Sequence, residues 1–127
     1  MQCLKCFTTY EHALADLDYF RTIRNITKEK IVLGVGFYGY GFGPELTSKA
    51  SSMNYGQIVK TFPGAEKTDQ ITMPDGMIMY YNGEETIRKK TLLAKENASG
   101  IMIWQILGDA AGDRSLLGLI NRVAYSK

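Results

Sequence analysis

With 127 residues, of which 45% are hydrophobic and 22% charged, the chain is long enough for one domain with a real core. A net charge of +2 is too small to argue for a nucleic-acid partner or an anionic membrane surface. No apolar stretch approaches the roughly 18 residues needed to cross a bilayer, and residues 1–7 lack the apolar core of a secretory signal, so no membrane span and no address are expected in the chain as written.

Cys3 and Cys6 form the only CxxC. One cysteine pair and a single nearby His12 fall short of the four ligands of a structural zinc site. A thioredoxin-like site needs a preceding strand that the chain start does not supply. We expect two incidental thiols, no metal and no cofactor. Asn25-Ile-Thr27 and Asn97-Ala-Ser99 are sequons, which matter only in a glycosylating pathway.

Thr8-Thr9-Tyr10-Glu11 has the spacing of a capping box. Tyr10, Ala13, Leu14, Leu17, Phe20 and Ile23 then recur at three and four, which predicts an amphipathic helix ending near Arg24-Asn25. Residues 30–37 read as a buried strand, followed by a run of alternating glycines and aromatics. Within it, Gly34-Val-Gly-Phe-Tyr-Gly39 matches GxGxxG literally. The dinucleotide fingerprint works only when its last glycine opens a helix, and Tyr40-Gly-Phe-Gly-Pro44 opens none. The match is rejected.

Residues 45–81 lose the alternation of helix and strand and read as a small α+β excursion. It would hold a short helix over 53–62, stopped by Pro63-Gly64, and a hairpin over 71–81 turning at Pro74-Asp75-Gly76. A helix follows from Glu84-Glu85 to about Asn97, acidic at its start and basic later, in keeping with the macrodipole. Its inward face would be Ile87, Thr91, Ala94 and Leu92, with Arg88-Lys89-Lys90 on the solvated side.

Residues 101–106 form a second apolar run, bounded by Gly100 and Gly108-Asp109. Like the first, it reads as a strand buried on both faces. Trp104 and Gln105 interrupt it near its carboxyl end, where α/β barrels carry their chemistry; the strand alone leaves core and site open for Trp104. A last helix starts at Asp113 or Arg114 and carries Leu116, Leu117, Ile120, Val123 and Ala124 at helical spacing. Helix, strand, excursion, helix, strand, helix describes an α/β fold with parallel strands, since each crossover contains a helix.

Three segments carry a specific resemblance. Lys30-Ile-Val-Leu-Gly-Val-Gly-Phe-Tyr-Gly-Tyr40 resembles the seventh strand of family-18 glycoside hydrolases, the chitinases and their endo-N-acetylglucosaminidase relatives. Tyr81-Asn-Gly-Glu-Glu-Thr-Ile-Arg-Lys-Lys90 is similar to that family's Tyr-Asp-Asp…Ser-Ile…Lys segment, and Gly100-Ile-Met-Ile-Trp-Gln105 to its eighth strand. The motifs occur in the family's order, over about Tyr10 to Ile120, and most resemble the Bacteroidetes branch. The resemblance implies a partial (β/α)8 TIM barrel, its last two parallel strands with their helices, in which residues 45–81 form a small α+β insertion between the two strands. It also implies that Trp104 floors the sugar subsite, that Tyr38 lines it, and that Gln105 and Tyr40 border it. Gln105 stands in place of the usual acidic residue, and Tyr40 where many members have arginine.

Catalysis in that family is substrate-assisted, with a protein carboxylic acid that ends an Asp-x-x-Asp-x-Asp-x-Glu motif. This sequence has no such motif; Asp16-Leu-Asp18 is its nearest approach, and the Tyr-Asp pair of the sixth strand is absent as well. A full barrel takes typically about 250 residues, so the chain amounts to roughly half. The expectation is therefore part of an enzyme acting on chitooligosaccharide or an N-glycan-type sugar, the parent secreted, periplasmic or at the cell surface, with no catalytic residue here. The alternative is a sugar-binding or interaction module built on the cluster of Tyr38, Tyr40, Phe42 and Trp104. Either way, open strand edges favour self-association.

Overall fold

A computed structural model describes residues 8–43 and 51–127. Cys3 and Cys6 lie outside them. The first helix, α1 (Tyr10–Asp18), starts one residue later than its sequence suggests: Thr9, not Thr8, is the cap, accepting the His12 amide at 3.2 Å. The helical path continues as a π-helical turn over Tyr19–Ile23. Of its predicted stripe, Ala13 and Leu17 are buried, whereas Leu14, Phe20 and Ile23 face solvent.

The strand β1 (Val32–Gly36) pairs in parallel with β6 (Gly100–Trp104), Val32 opposite Gly100 and Gly36 opposite Trp104. Between them run β2 (Tyr38–Phe42), β3 (Ser51–Asn54), α2 (Tyr55–Thr61), β4 (Gln70–Thr72), β5 (Ile78–Tyr80) and α3 (Glu84–Asn97); α4 (Leu116–Ala124) follows β6. The glycine-aromatic run after β1 is a strand, and no helix opens within it, as the rejection of the nucleotide motif requires. It joins a four-stranded antiparallel sheet of order β3-β2-β5-β4, of which the hairpin read over 71–81 supplies the last two strands. The final helix begins at Leu116, two or three residues later than read, after a 3-10 turn at Gly112–Arg114.

Two clusters hold these layers together. Val35, Phe37, Tyr55, Ile58, Met79, Tyr81, Ile87 and Leu116 join the antiparallel sheet to α2, α3 and α4, while Leu17, Leu33, Leu93 and Ala94 join α1 to α3 and β1. Each large apolar side chain buried this way contributes on the order of 1.5–3 kcal/mol. Leu93, not Leu92, turns inward on α3.

Neither parallel strand is buried on both faces. Leu33 and Val35 on β1 point into the clusters, while Val32 is 55% and Met102 50% exposed on the opposite face. Apolar side chains on both faces are what a strand needs between a helix layer and a packed barrel interior; among the described residues only the helix layer is present. Trp104 lies on the open face too, 65% exposed, and is not a core residue.

Lys90 corrects the reading of the basic run. It is only 1% exposed, and its Nζ donates to Asn82 Oδ1 at 2.8 Å and to the Thr8 carbonyl oxygen. Burial pushes its ammonium down to about 8, with Asp69 and Glu11 supporting the charge from a distance.

Candidate functional site

The carboxyl ends of β1 and β6 are fastened together: the Phe37 amide donates to the Trp104 carbonyl at 2.9 Å, and the Tyr55 amide to the Phe37 carbonyl at 2.9 Å. These two bonds set β6, the crossing into β2, and the start of α2 around one concave space of about 330 Å³. A cis peptide bond joins Trp104 to Gln105. Opposite Trp104 in register stands Gly36, where an added Cβ would lie 2.7 Å from Tyr38 Cε1. The missing side chain lets the Tyr38 ring lie back over the strand end.

All four residues singled out from sequence line this concavity: Tyr38, Tyr40, Trp104 and Gln105. The Tyr38 and Tyr40 rings meet edge to face, centroids 5.6 Å apart at 86°. Four further lining residues were not legible as site residues: Ser52, Met53, Asn54 and Gln57. Asn54 and Ser52 sit opposite Tyr38 and Tyr40 in the sheet. Asn54 caps α2 reciprocally with Gln57, whose Oε1 accepts the Asn54 amide at 3.3 Å while the Asn54 side chain accepts the Gln57 amide. Both carboxamide oxygens are thereby engaged, and their NH₂ groups remain as donors at the rim. The signal was present in Asn54-Tyr-Gly-Gln57, which has capping-box spacing.

None of the eight lining residues carries a charge. The carboxylate that follows β6, Asp109, is spent on capping α4: its oxygens accept Ser115 Oγ at 2.7 Å and the amides of Leu116 and Leu117 at 2.8 and 3.0 Å. Asp69 likewise holds the start of α3 through the Gly83 amide at 2.8 Å. Asp18, from the sequence's nearest approach to the acidic motif, accepts from Thr22 on the exposed side of its helix. Among the described residues no group of three His, Cys, Asp or Glu side chains could hold a metal ion. The concavity thus offers aromatic faces for C–H surfaces and amide donors for neutral oxygens.

A chitinase from the chitin utilization locus of Flavobacterium johnsoniae, of glycoside hydrolase family 18, superposes on 91% of the chain at 33% identity and TM-score 0.77. A chitinase from Bacteroides thetaiotaomicron does so on 92% at 32% identity and TM-score 0.77. The chain belongs to glycoside hydrolase family 18. It spans 35% and 39% of those two structures' own lengths. Human YKL-39, described as a pseudo-chitinase with retained chitooligosaccharide binding, shares the fold at 19% identity and TM-score 0.67, with 90% of the chain and 40% of YKL-39 covered. No family model and no curated protein matches the chain. Within this family the two parallel strands and their helices are a partial α/β barrel, and the one-sided burial of β1 and β6 is what such a part must have.

Proposed function

We propose that the chain supplies the floor and one wall of a saccharide-binding groove for N-acetylglucosamine-containing glycans, chitooligosaccharides or an N-glycan core, and performs no hydrolysis by itself. The convergence of Trp104, Tyr38, Tyr40 and Gln105 on one uncharged concavity carries this reading. Trp104 stacks under a pyranose ring, Tyr38 closes its side, and Asn54, Gln57 and Gln105 donate to the sugar's hydroxyl and acetamido oxygens. Residues 45–81 act as an insertion that brings Ser52, Asn54 and Gln57 to the rim. The two chitinases support the substrate class, and human YKL-39 supports binding without turnover as a viable state of the fold.

Hydrolysis needs a carboxylic acid beside the leaving oxygen, and among the described residues no carboxylate lines the groove. General acid catalysis is typically worth about 10²–10⁴ in rate. Incubation of the purified chain with a chromogenic chitobioside should release no more chromophore than a Trp104→Ala control. Turnover above that control would overturn the proposal. The open faces of β1 and β6 add a second element, self-association of the isolated chain through exposed Val32 and Met102.

A further inference from the structure

Among the described residues β1 and β6 make a parallel sheet of two strands, so each strand has one edge without a partner. Over them α3 lies between α1 and α4. Leu17 of α1 packs with Leu33 of β1, and Ile120 of α4 shares its cluster with Ile103 of β6. α1 therefore flanks the free edge of β1, and α4 that of β6. A recess of about 390 Å³ opens between His12, Ala13 and Asp16 of α1 and Leu33 and Gly34 of β1.

The two flanking helices are opposite in charge. α1 carries Glu11, Asp16 and Asp18 and no lysine or arginine, whereas residues 115–127 carry Arg122 and Lys127 and no Asp or Glu. Asn82 Nδ2 donates to the Thr8 carbonyl at the head of α1 at 3.2 Å. The Tyr55 hydroxyl donates to the Arg114 carbonyl at the head of α4 at 3.1 Å, so both helices start on the side where residues 51–82 sit. Counted from Tyr10 and from Leu116, Asp16 and Arg122 are each the seventh residue of a nine-residue helix. Both are exposed, and neither forms an ion pair among the described residues.

We propose that the chain docks head to tail on a second copy of itself. The free edge of β6 pairs in parallel with the free edge of β1 in the next copy, and α4 lies beside that copy's α1, with Arg122 against its Asp16. This geometry rests on the self-association reading above. Two features select a second copy as the occupant. A parallel edge takes a strand running the same way with a helix packed beside it, which β1 and α1 of another copy supply. The flanking helices match in length and level and oppose in charge, so the correct register is attractive. Such a contact is heterologous: every docked pair still exposes one β1 edge and one β6 edge for further copies.

Sedimentation velocity of the full chain over a concentration series, with Asp16→Lys and Arg122→Glu, tests it. The wild-type chain should form species larger than a dimer. Each variant alone should need at least about tenfold more protein to associate, because like charges then meet. An equimolar mixture of the two variants should regain wild-type association, since opposite charges again face one another at every contact. Unchanged circular dichroism reports that both variants fold. A wild-type mass that stops at two, variants that associate like the wild type, or a mixture no better than its components overturns the docking geometry. If Val32→Lys with Met102→Lys still disperses the species in that case, association through the open faces stands without it. A monomer at every concentration means that the edges are covered within the chain, and overturns both.

Discussion

The amide of Phe37 and the carbonyl of Trp104 lie 2.9 Å apart, and this single bond ties the turn into β2 to the end of β6. Phe37 is fully buried beneath it while Trp104 stands out above, so the same junction anchors the core and holds the indole in the open. Two glycines guard the junction in different ways, and they separate shape from stability.

At Gly36, an added Cβ meets the Tyr38 ring, the movable end of a side chain. Gly36→Ala should leave the melting transition nearly unchanged, within about 1 kcal/mol, yet weaken chitotriose binding about tenfold as the ring swings away. At Gly108, the added Cβ would lie 2.5 Å from the Phe37 carbonyl oxygen, which cannot swing. Gly108→Ala should cost about 1–3 kcal/mol in urea unfolding. Equal stability losses at the two positions would contradict this division.

Lys90 provides a pH prediction. Its folded pKa is depressed to about 8 from an ordinary value of 10.5, so between these limits the unfolded chain binds more protons than the folded one. Stability therefore rises with pH across that window, as the cost of burying the ammonium is relieved. The gain at this one group is up to about 3 kcal/mol. Measured against Lys90→Met, which cancels the other titrating groups, the wild-type chain should gain on the variant from pH 7.5 to 10.5. A constant difference across that range would mean that the amine is not desolvated.

Much of the scaffold is legible in the sequence because local chemistry decides it. Glu84-Glu85 fixes the start of α3, Pro74-Asp75-Gly76 fixes the hairpin, and Trp104 and Tyr38 mark the two strand ends. What escaped depends on distant partners. Lys90 is buried by Asn82 and by Thr8, which is 82 positions away, so a charge run with normal helical spacing gave no warning. In Tyr38-Gly-Tyr-Gly-Phe42 the period of two is visible, but glycines carry no apolar side chain to mark a buried face. They are the buried face of a strand, where a Cβ at Gly39 would lie 2.7 Å from the Tyr80 carbonyl oxygen. The one-sided burial of β1 and β6 follows from which layers surround them, and apolar spacing does not encode it.

Exposed apolar strand faces template association. Static light scattering at micromolar concentration should report species larger than a monomer, and Val32→Lys combined with Met102→Lys should shift them toward monomer. Both positions are at least half exposed, so the lysines cost the core little. A wild-type chain that is monomeric and melts cooperatively would show that these faces need no cover.

The groove itself is tested most directly by its own fluorophore, because Trp104 is the chain's sole tryptophan and it lines the concavity. Titration with chitotriose should change its emission saturably, with a Kd near or below about 1 mM, corresponding to roughly −4 kcal/mol. Tyr38→Ala should abolish the change while leaving the unliganded spectrum folded. An emission spectrum indifferent to several millimolar chitotriose would contradict the saccharide-binding groove.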